Sequence, residues 1–136
     1  GGNVYSTSGL NAIMGVKGSD DFYLREYKNV TFPHGETLTV KGVTIELIPV
    51  TITPIALTPI QKDLISGYYV AGEDFAAGTY DLTAIKGGGN VICALKLNEI
   101  MGVDDSDFYI KEYKNVTFVK GDVLDIRGLT LRLTPR

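Results

Sequence analysis

The sequence predicts an all-β protein built of tandem antiparallel β-sandwich or jelly-roll-like modules, each carrying one short helix. Three observations predict it. Apolar and polar residues alternate in short runs rich in Val, Ile and Thr, as in TLTVKGVTIELIP (Thr37–Pro49), which is the pattern of a half-buried strand. No segment sustains a 3.6-residue apolar period over ten residues, so a helix-rich fold is disfavoured. Finally, the chain repeats itself. The heptapeptide EYKNVTF occurs at Glu26–Phe32 and again at Glu112–Phe118.

The heptapeptide belongs to a longer repeat. Gly1–Pro49 aligns with Gly88–Pro135 once a residue is inserted in the first copy between Val16 and Asp21, with roughly half the aligned positions identical. Segments so alike should share a fold. The second copy is preceded by SGYYVAGEDFAAGTYDLTAIKG (Ser66–Gly87), whose aromatic and β-branched residues between glycines predict two strands. Nothing in the chain precedes Gly1 to match it. The expected organisation is a first β-repeat over 1–49 without its opening strands, a connector over 50–67, and a second, complete β-repeat over 68–136.

The elements follow in order. LNAIMG and LNEIMG (Leu10–Gly15, Leu97–Gly102) place Leu, Ile and Met at near-helical spacing before a glycine, so each predicts a helical turn or short helix. Gly87, Gly88 and Gly89 predict a flexible turn before NVICAL. Ser106–Phe118 predicts one longer strand. Phe108, Ile110, Val116 and Phe118 share one parity with Glu112 and Lys114, so a bulge or break near Glu112–Lys114 is expected, which avoids burying the charges. The hairpins place Leu38, Val40, Val43, Ile45 and Leu47 on buried faces, with Gly42 at a turn or kink. In the second copy the buried set is Leu124, Ile126, Leu129, Leu131 and Leu133. VTITPIALTPI (Val50–Ile60) carries Pro54 and Pro59; proline breaks helices and removes a backbone donor, so this stretch reads as an extended connector. A single repeat is marginal in size, since a domain of this length buries only about 60% of its surface. Duplication supplies either a partner surface or two binding sites on one chain. The missing opening strands predict that the connector, or another copy through strand exchange into a homodimer, covers the edges of the first repeat.

Composition narrows the function. The net charge is −3 with signs interspersed, which disfavours nucleic acid, whose binding needs clustered Lys and Arg. No apolar run approaches the ~20 residues of a membrane span. Cys93 is the single cysteine, so no internal disulfide exists, and its apolar setting in VICAL reads as a buried thiol. The chain opens GGNVYS without methionine, from which a removed leader or lipid anchor is expected.

The stretch YYVAGEDFAAGTYDLTAIKGGGNV (Tyr68–Val91) resembles modules of Gram-positive secreted proteins and lipoproteins, which open with a Y-x-V-G-x-D-(I/F)-x-A-G-T-Y motif. Tyr69, Val70, Gly72, Asp74, Phe75, Ala77, Gly78, Thr79 and Tyr80 carry that opening here. A G-x-x-L-x-(I/V)-x-G hairpin follows in such modules. It is carried by Gly121, Leu124, Ile126 and Gly128, and in the first repeat by Gly35, Leu38, Val40 and Gly42. Ala76 stands where proline is common. The resemblance implies an extracellular or envelope location and no known reaction.

Candidate sites are few. Tyr23, Tyr27, Tyr109 and Tyr113 recur at matching positions, and tyrosine offers both a stacking face and a hydroxyl. With Asn29 and Asn115 they form the candidate ligand-binding set, a sugar or peptide being the ligand class; the plainer reading packs the rings at the core rim. Asp104, Asp105, Ser106 and Asp107, with Asp20 and Asp21 as a poorer counterpart, could supply oxygens to calcium. Yet EF-hand spacing is absent, and Asp is a common loop residue. Neither a cofactor nor a resident metal is predicted. The Asn-x-Thr signals at Asn29 and Asn115 read as strand residues. His34 aligns with Lys120, so a function shared by both copies does not need it. Glu26 and Glu112 each neighbour a lysine, where a surface ion pair suffices. The reading is a non-catalytic extracellular or envelope β-module for adhesion, scaffolding or binding, its partner a cell-wall glycan or a protein. A carbohydrate-binding module is the alternative. A hydrolase using the acidic loop and repeated glutamates ranks last.

Overall fold

The computed structural model describes residues 1–16, 23–50, 58–104 and 107–136. Its described residues form nine strands and no helix. In chain order the strands are β1 (Gly2–Ser6), β2 (Asn11–Met14), β3 (Leu38–Lys41), β4 (Lys62–Leu64), β5 (Gly67–Val70), β6 (Gly78–Cys93), β7 (Leu97–Gly102), β8 (Glu112–Phe118) and β9 (Val123–Pro135). They make two antiparallel sheets. The smaller runs β2-β1-β3. The larger centres on the long pair β6 and β9; β4 and β5 join β9, while β7 and β8 join β6.

The alternating apolar residues of β6 and β9 explain that centre. Leu124, Ile126, Leu129, Leu131 and Leu133 are all buried, as the hairpin pattern predicts, and they meet Tyr80, Leu82, Ala84, Val91 and Cys93 of β6 in one core. Each fully buried aliphatic side chain of this kind contributes about 1.5–3 kcal/mol over its exposed state. Phe75 closes the core with Tyr80 and Phe118, the three rings meeting at 5.3–6.1 Å, with Phe75 edge-on to the other two. Such geometry suits the ring quadrupoles. Cys93 is buried, and burial pushes its thiol pKa up, which keeps it protonated.

The pairing of the smaller sheet recurs partner for partner in the larger one. Gly2 faces Met14 as Gly89 faces Met101, and Val4 faces Val40 as Val91 faces Ile126. Even the parallel bridge Met14–Leu24 has its equivalent in Met101–Ile110. A Cβ added at Gly2 would fall 1.7 Å from the Lys41 carbonyl oxygen, and one at Gly89 would fall 1.8 Å from that of Arg127. Both glycines therefore permit close backbone approach in the interior of the pairing.

Several expectations are corrected. LNAIMG and LNEIMG are not helical; they lie in or along β2 and β7. Leu97 and Met101 are buried with the intervening Asn98 and Ile100 exposed. A spacing of four fits both the helical period and the strand period of two, and the hairpin to β6 decides for the strand. Gly87–Gly89 is no turn but the middle of β6, where the register against β9 shifts between Gly87 and Asn90. The strand expected over Ser106–Phe118 is shorter: β8 begins at Glu112, and Ile110 makes only an isolated bridge. Its irregularity falls at Lys114–Asn115, where three β8 steps oppose two on β6, and Asn115 is left-handed at φ 62°. In the first repeat, Val43–Pro49 forms no strand, and Leu47 is 62% exposed. Its β9 counterpart is ordered by pairing with the first half of β6, a strand the first repeat does not have among the described residues.

The expected connector also contributes structure. Lys62–Leu64 is β4 on the edge of β9, tied by a two-point Asp63–Arg132 pair at 2.9 and 3.1 Å. Residues 51–57, with Pro54, lie outside the described residues.

Candidate functional site

A polar cluster lies where the two repeats meet. Asp125 and Arg127 alternate on β9 beside Ile126, so both leave the core face that Ile126 occupies. The Arg127 Nη2 approaches the Asp125 carboxylate at 3.0 Å, and its Nε donates to the same group at 3.1 Å. From the first repeat, the Tyr27 hydroxyl donates to Asp125 Oδ1 at 2.9 Å. Arg127 also donates to the Tyr68 hydroxyl at 3.3 Å, and the Tyr27 and Tyr68 rings sit 5.3 Å apart.

Backbone bonds fix the same junction. The Lys28 N–H donates to the Ser66 carbonyl, and the Tyr68 N–H donates to the Lys28 carbonyl, each at 3.1 Å. Gly67 lies between them, where an added Cβ would come within 2.7 Å of the Lys28 carbonyl oxygen. The buried Ser66 hydroxyl accepts the Gly128 N–H at 2.9 Å. The start of the second unit thus lies along Lys28 of the first, one point at which the edge of the first repeat is covered.

Electrostatically the cluster is a closed set of donors and acceptors. Burial, then the hydrogen bond with Tyr68 and the Asp125 charge, raises the Tyr27 pKa far above its ordinary value. Burial opposes the charge of Arg127, but its bond to Asp125 and the other neighbouring groups more than compensate, so its pKa is raised. Tyr27 stays a neutral donor and Arg127 a cation paired to Asp125. The arrangement cross-braces the two repeats through Tyr27, Tyr68, Asp125 and Arg127.

The sequence-nominated residues take separate places. Tyr23 and Tyr109 lie on equivalent glycine surfaces: a Cβ at Gly15 would be 2.8 Å from the Tyr23 ring, and one at Gly102 would be 2.7 Å from the Tyr109 ring. Tyr27 belongs to the junction. Tyr113 packs against the main core. Asn29 and Asn115 share a left-handed backbone, φ 60° and 62°, a conformation Asn tolerates better than most residues. The Asn115 N–H donates to Asp81 Oδ1 at 3.0 Å, so β6 holds this bulge through a side chain. Glu112 makes an exposed ion pair with Lys114 at 3.8 Å. His34 is exposed. Asp20, Asp21, Asp105 and Ser106 lie outside the described residues, and among the described ones no group of three metal-ligating side chains converges.

Sequence reasoning missed Ser66, Tyr68, Asp125 and Arg127. One signal was present: among the differences between the hairpins TLTVKG and VLDIRG, Thr39 against Asp125 and Lys41 against Arg127 are the ones that involve a charged side chain. The opening motif proves to be fold-bearing. Asp74 Oδ2 accepts the Val70 N–H at 2.7 Å, Gly72 donates to the Phe75 carbonyl at 2.7 Å, and Phe75 then enters the core.

Comparison with protein-family models, curated proteins and solved structures finds no match to this chain.

Proposed function

We propose that the chain is a tandem of two small β-sandwich or jelly-roll-like modules serving a Gram-positive secreted or envelope protein as a non-catalytic binding or scaffold unit. The observation that carries this reading is an exposed isoleucine offered twice, at the same position of an outer strand in each repeat. Ile13 on β2 is 41% exposed and the matching Ile100 on β7 is 46% exposed, with Val16 and Val103 exposed beside them. Two equivalent faces on one chain add avidity without new contacts. The opening motif Tyr69–Tyr80 supports the envelope setting through its resemblance to Gram-positive modules. Carbohydrate recognition is the second reading, favoured by the half-buried Tyr23 and Tyr109 rings held on glycines at matching positions, since a fixed aromatic surface suits stacking.

Co-sedimentation with Gram-positive envelopes tests both. The wild type should sediment with protein-bearing envelopes, and an Ile13→Asp/Ile100→Asp variant should stay in solution. Sedimentation with protein-stripped wall polymer, lost in Tyr23→Ala/Tyr109→Ala, selects the carbohydrate reading. A wild type that sediments with neither preparation overturns the envelope role.

A further inference from the structure

The same seven residues have two fates in this molecule. As Glu112–Phe118 they form β8, paired with Gly78–Thr83 of β6, and Phe118 is 1% exposed. As Glu26–Phe32 they form no strand, and Phe32 is 38% exposed. The second half of the hairpin behaves alike. Leu129, Leu131 and Leu133 are buried against β6, whereas the aligned Val43 and Ile45 are half-buried and Leu47 is exposed.

One element accounts for both differences. The first half of β6, GTYDLTAIK (Gly78–Lys86), is inserted between β8 and β9 and pairs on both its edges: Tyr80 faces Val116 and Pro135, and Leu82 faces Tyr113 and Leu133. In the first repeat the flanking segments, Tyr27–Phe32 and Val43–Pro49, are both present. No strand lies between them among the described residues.

We infer that this slot of the first repeat accepts an extended strand from a separate polypeptide, one that alternates apolar and polar side chains as Tyr80, Asp81, Leu82, Thr83 and Ala84 do. The molecule itself displays the filled form, with EYKNVTF as one wall in both cases. Backbone bonding to both walls would give affinity, and the alternate side chains entering the core would give specificity. A second copy of this chain is a poor donor. Its own Gly78–Lys86 is buried on both edges, so donating it would open the main core, which holds Tyr80, Leu82 and Ala84. This inference stands apart from the envelope reading, because it rests on pairing alone.

The test uses the intact protein and a fluorescein-labelled GTYDLTAIK peptide, followed by anisotropy and by amide exchange. Saturable binding is expected, with new protection at residues 29–32 and 43–48 and none gained at 116–118. A peptide carrying Leu82→Asp should bind at least about tenfold more weakly, as should the Leu47→Asp protein, whose exposed site leaves the fold unchanged by circular dichroism. Absent or unsaturable binding overturns the inference, as does equal binding of the altered peptide. Protection confined to 112–118 would place the peptide in the second repeat and overturn it too. Self-association without peptide binding would make a second copy the occupant, against the donor argued here.

Discussion

Glu26–Phe32 and Glu112–Phe118 are identical in sequence and unlike in structure. One is tied to the rest of the protein at Lys28, through a bridge to Gly67; the other is a seven-residue strand with Val116 and Phe118 in the core. Local propensity is the same in both, so it cannot be the cause. What differs is a neighbour: β6 supplies backbone partners and apolar surface to the second copy. Strand propensity is chiefly a statement about such neighbours. By contrast β1, β2 and β3 hold the register of their counterparts, because each repeat carries all three of those segments within itself.

The largest effect is expected from the same substitution made in each copy. Phe118→Ala should destabilise the protein by about 3–5 kcal/mol, the usual cost of removing a buried aromatic ring. Phe32→Ala should cost less than about 1 kcal/mol, as expected for a site without a packed neighbourhood. Urea denaturation of the two variants decides the matter; equal losses would mean that the first copy is packed as tightly as the second.

Alkaline titration probes tyrosines of both repeats, the half-buried Tyr27 in the first and the buried Tyr69 in the second. Tyr69 is buried on β5, its hydroxyl donating to the Ile65 carbonyl at 2.8 Å. Burial, reinforced by the charges of Asp74 and Glu26, has its pKa pushed up to about 12 from 10.0. The folded state thus holds the proton more tightly than the unfolded state does. Its contribution is complete below pH 10 and is lost as pH rises from 10 through 12, a fall of about 2–3 kcal/mol at that group. Denaturation midpoints across that range should drop, and tyrosinate absorbance should lag behind that of the unfolded chain.

The junction offers a smaller effect. Tyr27→Phe removes the hydroxyl bond to Asp125 at a cost of about 1.5 kcal/mol, the low end for a bond to a charged group because the site is only half-buried. Amide exchange should then quicken in β1–β3 and remain slow in β6 and β9. Uniform quickening would show that the two sheets unfold as one unit.

The smallest difference concerns the paired asparagines. Asn115→Ala should cost about 1 kcal/mol, because alanine resists the left-handed backbone that the β8 bulge requires, and Asn115→Gly should be nearly neutral. Asn29→Ala should leave the melting temperature almost unchanged, since its backbone is free of a ladder and can relax.

The β character, the repeat and the buried face of β9 are legible in the amino-acid order alone. Those follow from short-range alternation and from identity between copies, which survive any packing. The other features depend on packing between distant segments. Leu97 and Met101 are four apart, a spacing that suits a helix and a strand alike, until the turn at Ala94–Lys96 folds β7 onto β6. Gly87–Gly89 resembles a loop in isolation, yet becomes strand because Gly89 admits the Arg127 carbonyl at a distance no side chain permits. Val43–Pro49 has the alternation of a strand but, among the described residues, no partner to complete it. The junction of Tyr27, Tyr68, Asp125 and Arg127 draws together residues from distant parts of the chain, and no local pattern announces it. Alternation is written between neighbouring residues, whereas pairing and burial depend on what the rest of the chain brings alongside.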